Sequence, residues 1–135
     1  MGMKTIEFFF DFSSPYSYLT ATQLESLAQR TGAQVIYKPM VLAAVFKATG
    51  NTMPAVVPAK ARHMMIDLAR WAAEYGVPFQ MSSHFPVNAI KAARLIIAAE
   101  AAGKSGALTQ ACFAALWVQD RDLTADSELR ALATQ

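Results

Sequence analysis

FFFDFSSPYSYL, Phe8 to Leu19, holds the transition on which the fold turns. Its apolar start belongs to KTIEFFF, Lys4 to Phe10, which reads as a strand. It is short, aromatic and nearly continuous in apolar residues, the pattern of a strand covered on both faces. Asp11 to Ser14 reads as a turn. Pro15 suits the first position of a helix, because the N–H it lacks would have no partner there. Leu24, Leu27 and Ala28 fall at helical spacing and carry that helix to about Thr31, where Gly32 ends it. QVIYK, Gln34 to Lys38, is a second strand. Strand, helix and strand in such close succession make a βαβ unit, with parallel strands and a right-handed crossover.

After Pro39 the pattern changes. Val41 to Thr49 reads as a short helix ending at Gly50, and Asn51 to Pro58 as a loop holding Pro54 and Pro58. A longer helix covers about Ala59 to Tyr75. Met65, Leu68, Ala69, Ala72 and Tyr75 share one of its faces, and Gly76 and Pro78 close it. A loop from Val77 to Val87 follows, then helices at about Asn88 to Ala102 and Ser105 to Val118, and a last helix from about Asp126. The chain thus divides into a βαβ segment, 1–40, and a helical segment, 41–135. Two parallel strands alone make a poor sheet, and no third strand is legible before Gln135.

Composition narrows the function classes. Hydrophobic residues make up 54% and charged residues 16%, which is a globular composition and not a disordered one. A net charge of +2, with its basic residues scattered, does not describe a nucleic-acid surface. No stretch approaches the apolar length of a membrane span. Cys112 is the single cysteine, so no internal disulfide, CxxC redox pair or Cys/His zinc site is expected, and a reduced, cytoplasmic setting is the default. Cys112 lies in an apolar helix and is expected buried and inert. His63 and His84 read as packing or surface residues, and Trp71 and Trp117 as core.

The strand-to-helix junction is where chemistry is expected. Free N–H groups and the positive end of the helix dipole meet there, and both stabilise an anion. Thioredoxin-like oxidoreductases place C-P-x-C at such a junction, where the field lowers a thiol's pKa. Here Ser14 and Ser17 occupy both cysteine positions. The site therefore does not cycle through a disulfide, although a serine hydroxyl can still bond an incoming thiolate. By residue type alone Ser14 reads first as an N-cap before Pro15, and Asn51 after Gly50 is ordinary turn chemistry. Lys60 is a solvated lysine at a helix start, where its charge is mildly unfavourable.

Taken together, Ser14-Pro15-Tyr16-Ser17, VFKATGN (Val45 to Asn51), Asp67 to Trp71 with Tyr75 to Pro78, HFPVN (His84 to Asn88) and ALWVQDRDL (Ala115 to Leu123) form an ordered set. From about Ile6 onward the chain resembles 2-hydroxychromene-2-carboxylate isomerases and kappa-class glutathione transferases. The resemblance implies a DsbA-like thioredoxin fold, α/β, with an inserted all-α domain. It implies glutathione as cofactor, with Ser14 on its sulfur and Asn51 and Lys60 on its peptide. Phe85 and Asn88 would line the cleft for a small aromatic substrate, and no metal is implied. The implied reaction is isomerisation of an unsaturated aromatic keto acid by thiol addition and elimination, with glutathione transfer or a non-catalytic binding module as alternatives. A homodimer is expected. Members of this family continue with further strands and a helix, so the C-terminal strands of the fold are expected to be absent from this chain. The Ile6–Phe10 strand would then have an unpaired edge and several exposed phenylalanines, and would pair with another copy.

Overall fold

The computed structural model describes residues 2–135. Strands β1 (Lys4–Phe10) and β2 (Ala33–Pro39) pair in parallel, with Ile6 opposite Val35, Phe8 opposite Tyr37 and Phe10 opposite Pro39. Helix α1 (Pro15–Thr31) connects them. Ser14 sits before it in extended backbone and accepts a hydrogen bond from the Ser17 N–H at 3.1 Å, so the first turn is capped as its sequence requires. The helix stops at Gly32, whose φ of +64° lets its N–H turn back to the Ala28 carbonyl. Then come α2 (Leu42–Thr49), a 3-10 turn (Pro54–Val56), α3 (Pro58–Tyr75), α4 (Ile90–Glu100), α5 (Ser105–Trp117) and α6 (Asp126–Ala133). Among the described residues no helix is long and apolar enough to cross a membrane.

Helix α5 is the centre of the core. Leu108, Thr109, Cys112, Phe113, Ala115, Leu116 and Trp117 are all buried on it, so it is apolar nearly all round and is enclosed by α1, α4, α6 and β2. Phe113 meets the rings of Phe10 and Phe12 at 5.6 and 4.8 Å, tilted or edge-on, in the geometry aromatic pairs prefer. Where α5 passes β2 the backbone comes close: a Cβ on Gly106 would stand 3.0 Å from the Tyr37 ring. Trp117 stacks on Phe79 and lies 6.1 Å from Phe85, which anchors the long loop between α3 and α4. One buried cluster therefore draws on residues before and after position 40.

Several expectations need correction. β1 is covered on one face only: Phe8 and Phe10 are buried, whereas Phe9 is 55% exposed under the Lys38 ammonium. Among the described residues the sheet has two strands, so the outer edge of β1 has no ladder partner. The expected exposure of several phenylalanines is nonetheless wrong, because side chains leave a strand perpendicular to its edges. An open edge does not uncover a face, and α5 covers the one holding Phe8 and Phe10. On α3 the buried stripe is Met64, Leu68 and Ala72, while Met65 and Tyr75 face solvent. Trp71 is 44% exposed and stacks on Tyr75 instead of entering the core. Leu27 is exposed on α1. These apolar residues lie one position or one turn away from the surface that the helix actually docks.

Cys112 is buried among these groups, and burial pushes its thiol up to about 12 against an opposing pull from Arg121. Since the folded value is raised, the unfolded chain loses this proton first. The stabilisation is complete below the ordinary thiol pKa of about 8.5 and is lost as pH climbs toward the folded value. Unfolding free energy should fall between about pH 9 and pH 11 with a contribution approaching 1.36 kcal/mol per pH unit from this group. Cys112→Ala should flatten the slope by that amount. Equal slopes for the two proteins in denaturant titrations would show that the thiol is not held in the core.

Candidate active site

The carboxyl end of β1 runs into a turn built around Asp11. One carboxylate oxygen accepts the Ser13 N–H at 2.9 Å, and the Ser14 N–H donates to the Asp11 carbonyl at 2.9 Å. This local arrangement follows from residue type, because aspartate bonds its own backbone two residues on. The other carboxylate oxygen accepts the Leu42 N–H at 2.8 Å. Leu42 is the first residue of α2, whose own N-cap, Val41, offers no side-chain bond. Asp11 thus caps a helix from a distant segment and fixes α2 against the turn. Ser13 makes the third tie, its hydroxyl oxygen accepting the Val87 N–H at 3.0 Å. Residues 11–14, 40–42 and 85–88 converge through these bonds. The Phe85–Pro86 peptide in the last segment is cis.

Between them opens a cleft of about 530 Å³ at the N-terminus of α1. Its wall is mostly apolar, with Met40, Phe46, Met64, Phe85 and Ile90 among the lining residues. Among the lining residues Asp11 is the one charged side chain, and both of its oxygens already hold N–H groups. Ser13, Ser14 and Asn88 supply the other short polar side chains. At the start of α1 the Ser14, Ser17 and Tyr18 N–H groups are already bonded and Pro15 has none, so it is mainly the positive end of the helix dipole that makes this end of the cleft favourable to negative charge.

The residues expected from sequence are partly brought together. Ser14, Phe85 and Asn88 line the same cleft. Lys60 is exposed and lies in an adjoining recess of about 430 Å³, which shares Tyr16, Pro54 and Met64 with the main cleft. Asn51 is exposed after Gly50 and lines neither. Its N–H donates to the Phe46 carbonyl at 3.0 Å, and its side-chain oxygen accepts the Thr52 N–H at 2.8 Å. Ser17 works within the turn, giving its N–H to Ser14.

Other site residues escaped the sequence reading. Asp11 and Ser13 are readable as an aspartate turn, but their bonds to Leu42 and Val87 cross 31 and 74 positions. Tyr16 projects at the rim between the two cavities and donates to Asp67 at 2.7 Å. Burial, then that bond and the Asp67 charge, push its phenol up to about 12. Asp120 has a left-handed φ of +53° and accepts the Ser82 hydroxyl and the Ser83 N–H at 2.9 and 2.8 Å. Hydrogen bonds from Ser83 and Ser82 hold its carboxyl below the usual carboxylate range. With His84 Nε2 3.2 Å from the Asp120 carbonyl, this corner pins the loop that delivers Phe85.

The chain matches the family of DSBA-like thioredoxin domains over residues 5–135. It is 38% identical to a 2-hydroxychromene-2-carboxylate isomerase of Sphingobium xenophagum over 133 residues, 96% of this chain and 67% of that protein. It is 42% identical to the glutathione S-transferase kappa 1 of Caenorhabditis elegans over 77 residues, 56% of this chain and 34% of that protein. A solved 2-hydroxychromene-2-carboxylate isomerase superposes on 97% of this chain and 71% of its own, with a TM-score of 0.81 and 25% identity. The chain spans about two thirds or less of the length of these curated relatives. The chain belongs to the DSBA-like thioredoxin family, in the group that holds the 2-hydroxychromene-2-carboxylate isomerases and the kappa-class glutathione transferases.

Proposed function

We propose that this protein is a glutathione-dependent isomerase of an unsaturated aromatic keto acid, of the 2-hydroxychromene-2-carboxylate isomerase kind. The observation that carries the reading is the apolar cleft that gathers Ser14, Phe85 and Asn88 at the N-terminus of α1. Ser14 accepts the Ser17 N–H, which leaves its own hydroxyl proton to donate into the cleft. A hydroxyl donor and the positive end of the α1 dipole favour a thiolate over a thiol, and they must outweigh the apolar wall and the Asp11 carboxylate, which favour the thiol. Lys60 in the adjoining recess fits a peptide carboxylate. Asn51 would have to reach from its exposed turn. Bound glutathione would supply a nucleophile able to add reversibly to a conjugated double bond.

The residues of this chain then have separable tasks. Ser14 and the first turn of α1 favour the ionised sulfur near neutral pH, so that less of the barrier is spent on deprotonation. Phe85 and the methionine-lined wall hold an aromatic body and exclude water. Asp11, through Leu42 and Ser13, keeps both walls at fixed separation, which is what positioning requires. The relatives named kappa-class transferases support a second reading on the same site. It is separated by stoichiometry: an isomerase regenerates glutathione, and a transferase consumes it.

Calorimetry with glutathione, and absorbance of 2-hydroxychromene-2-carboxylate with and without it, test this reading. Saturable binding and glutathione-dependent spectral conversion are expected, whereas conversion that ignores glutathione would refute it. Ser14→Ala should lower turnover by about 10- to 1,000-fold, the range for losing one donor to developing charge. Its stability should change by only about 1 kcal/mol, from the lost cap. Full activity in a folded Ser14→Ala protein would remove Ser14 from the chemistry.

The junction can also be tested without substrate. In Ser14→Cys combined with Ser17→Cys, the thiol at position 14 should titrate well below the ordinary value of about 8.5. Absorbance of the thiolate against pH reports this, and an unshifted titration would show that the start of α1 does not stabilise an anion.

A further inference from the structure

Two adjacent hydroxyls line the cleft, and the proposed chemistry has so far used one. Ser13 is half-buried and lies on the cleft wall. Its oxygen accepts the Val87 N–H at 3.0 Å, and its own N–H is held by Asp11 at 2.9 Å. Backbone and side chain are therefore both fixed. Among the described residues its hydroxyl proton is given to no acceptor, so it is the group's remaining hydrogen-bonding capacity. A hydroxyl that already accepts a bond is polarised and donates more strongly. Ser14 is in the same condition, with Ser17 as its donor. The cleft thus presents a pair of oriented O–H donors against an otherwise apolar wall, with no lysine or arginine among its lining residues.

Addition of a nucleophile to a conjugated ketone develops charge at two places. One is the nucleophile, and the other is the carbonyl oxygen at the far end of the conjugated system. A single hydroxyl does not serve both. We infer that Ser13 is a further catalytic residue, which donates a hydrogen bond to the carbonyl oxygen of the conjugated substrate while Ser14 serves the sulfur. This inference rests on the isomerase reading and adds the substrate's own partner to it. The nucleophile's lone pair forms the new bond to the β-carbon. The C=C π pair shifts to the neighbouring carbon–carbon bond, and the C=O π pair moves onto oxygen, where Ser13 meets it. The former C=C is now a single bond and rotates; elimination then reverses each electron movement and breaks the bond to the nucleophile, releasing the isomer. The Ser13 proton stays on Ser13 throughout, so no acid or base beyond it is needed. Preorganised donors of this kind act strongly because they are already aimed when the charge appears.

The test uses a bound ketone and needs no glutathione. The probe is 4-phenyl-3-buten-2-one carrying ¹³C at its carbonyl, and the readout is the infrared stretch of that carbonyl in the complex. A band shifted to lower frequency is expected in the wild type, in Ser14→Ala and in Ser13→Thr, which keeps the hydroxyl. In Ser13→Ala the band should return to its position in an apolar solvent. An unshifted band in the wild type, or the same shifted band in Ser13→Ala, would overturn the inference, and so would failure of the ketone to bind. With glutathione present, Ser13→Ala should lower kcat on the keto acid on the order of 100-fold. The same variant, which also loses the bond to Val87, should lower addition to an aryl halide, which has no carbonyl to serve, far less than turnover of the keto acid. Equal losses on both substrates would mean that Ser13 merely holds Val87. Absence of glutathione turnover in the wild type would count against the isomerase reading and leave the infrared result to decide the role of Ser13.

Discussion

The indole N–H of Trp117 donates to the Phe12 carbonyl at 2.9 Å in the buried core, across 105 positions of sequence. The rest of the site depends on this bond. Phe12 is the last core residue before the serines, and a carbonyl buried there without a partner would cost about 1–3 kcal/mol. Trp117 satisfies it from the last turn of α5 and at the same time stacks on Phe79 and approaches Phe85. A single side chain thus ties the turn that carries Ser13 and Ser14 to the loop that carries Phe85 and Asn88. The cleft lies between these two pieces of chain, and the ring that ties them is not among the residues lining it.

Around that anchor the polar bonds of the site form a hierarchy. Asp11 holds two N–H groups, one local and one at the start of α2. Ser13 holds Val87, and Asp120 holds Ser82 and Ser83. Each uses a side-chain oxygen to hold donors of the connecting segments: the N–H groups of Ser13, Leu42, Ser83 and Val87 and the hydroxyl of Ser82. The consequence for function is rigidity at the walls and freedom at the hydroxyls. Ser13 and Ser14 are both fixed as acceptors, and both retain a proton to give. A cleft built this way can be apolar enough for an aromatic body and still meet developing charge with oriented donors.

The βαβ start was legible almost residue by residue. Lys4 to Phe10, Pro15 and Gly32 carry strong local signals, because a short aromatic run, the missing N–H of proline and the left-handed freedom of glycine act within a few residues, although the run was read as covered on both faces and is buried on one. The order of the helices was legible for the same reason. Their docking was less so. Apolar residues on α3 cover more of its circumference than the core does, so Met65, Trp71 and Tyr75 qualify by pattern, whereas Met64, Leu68 and Ala72 are the residues that pack. The expected exposure of the β1 phenylalanines failed because an unpaired edge is a property of backbone pairing, and burial of a face is a property of what lies over it.

From its residues alone the sequence determined the strand-to-helix junction and the replacement of both redox cysteines by Ser14 and Ser17. Those features depend on residue type at short spacing. Only the tertiary structure decided that Asp11 caps α2, that Ser13 is oriented by Val87, that Trp117 closes the turn at Phe12, and that Lys60 sits in the adjoining recess while Asn51 faces solvent. Each of these is a contact between segments distant in sequence. No local preference encodes such contacts, because their partners meet only after α5 has brought the two ends of the core together.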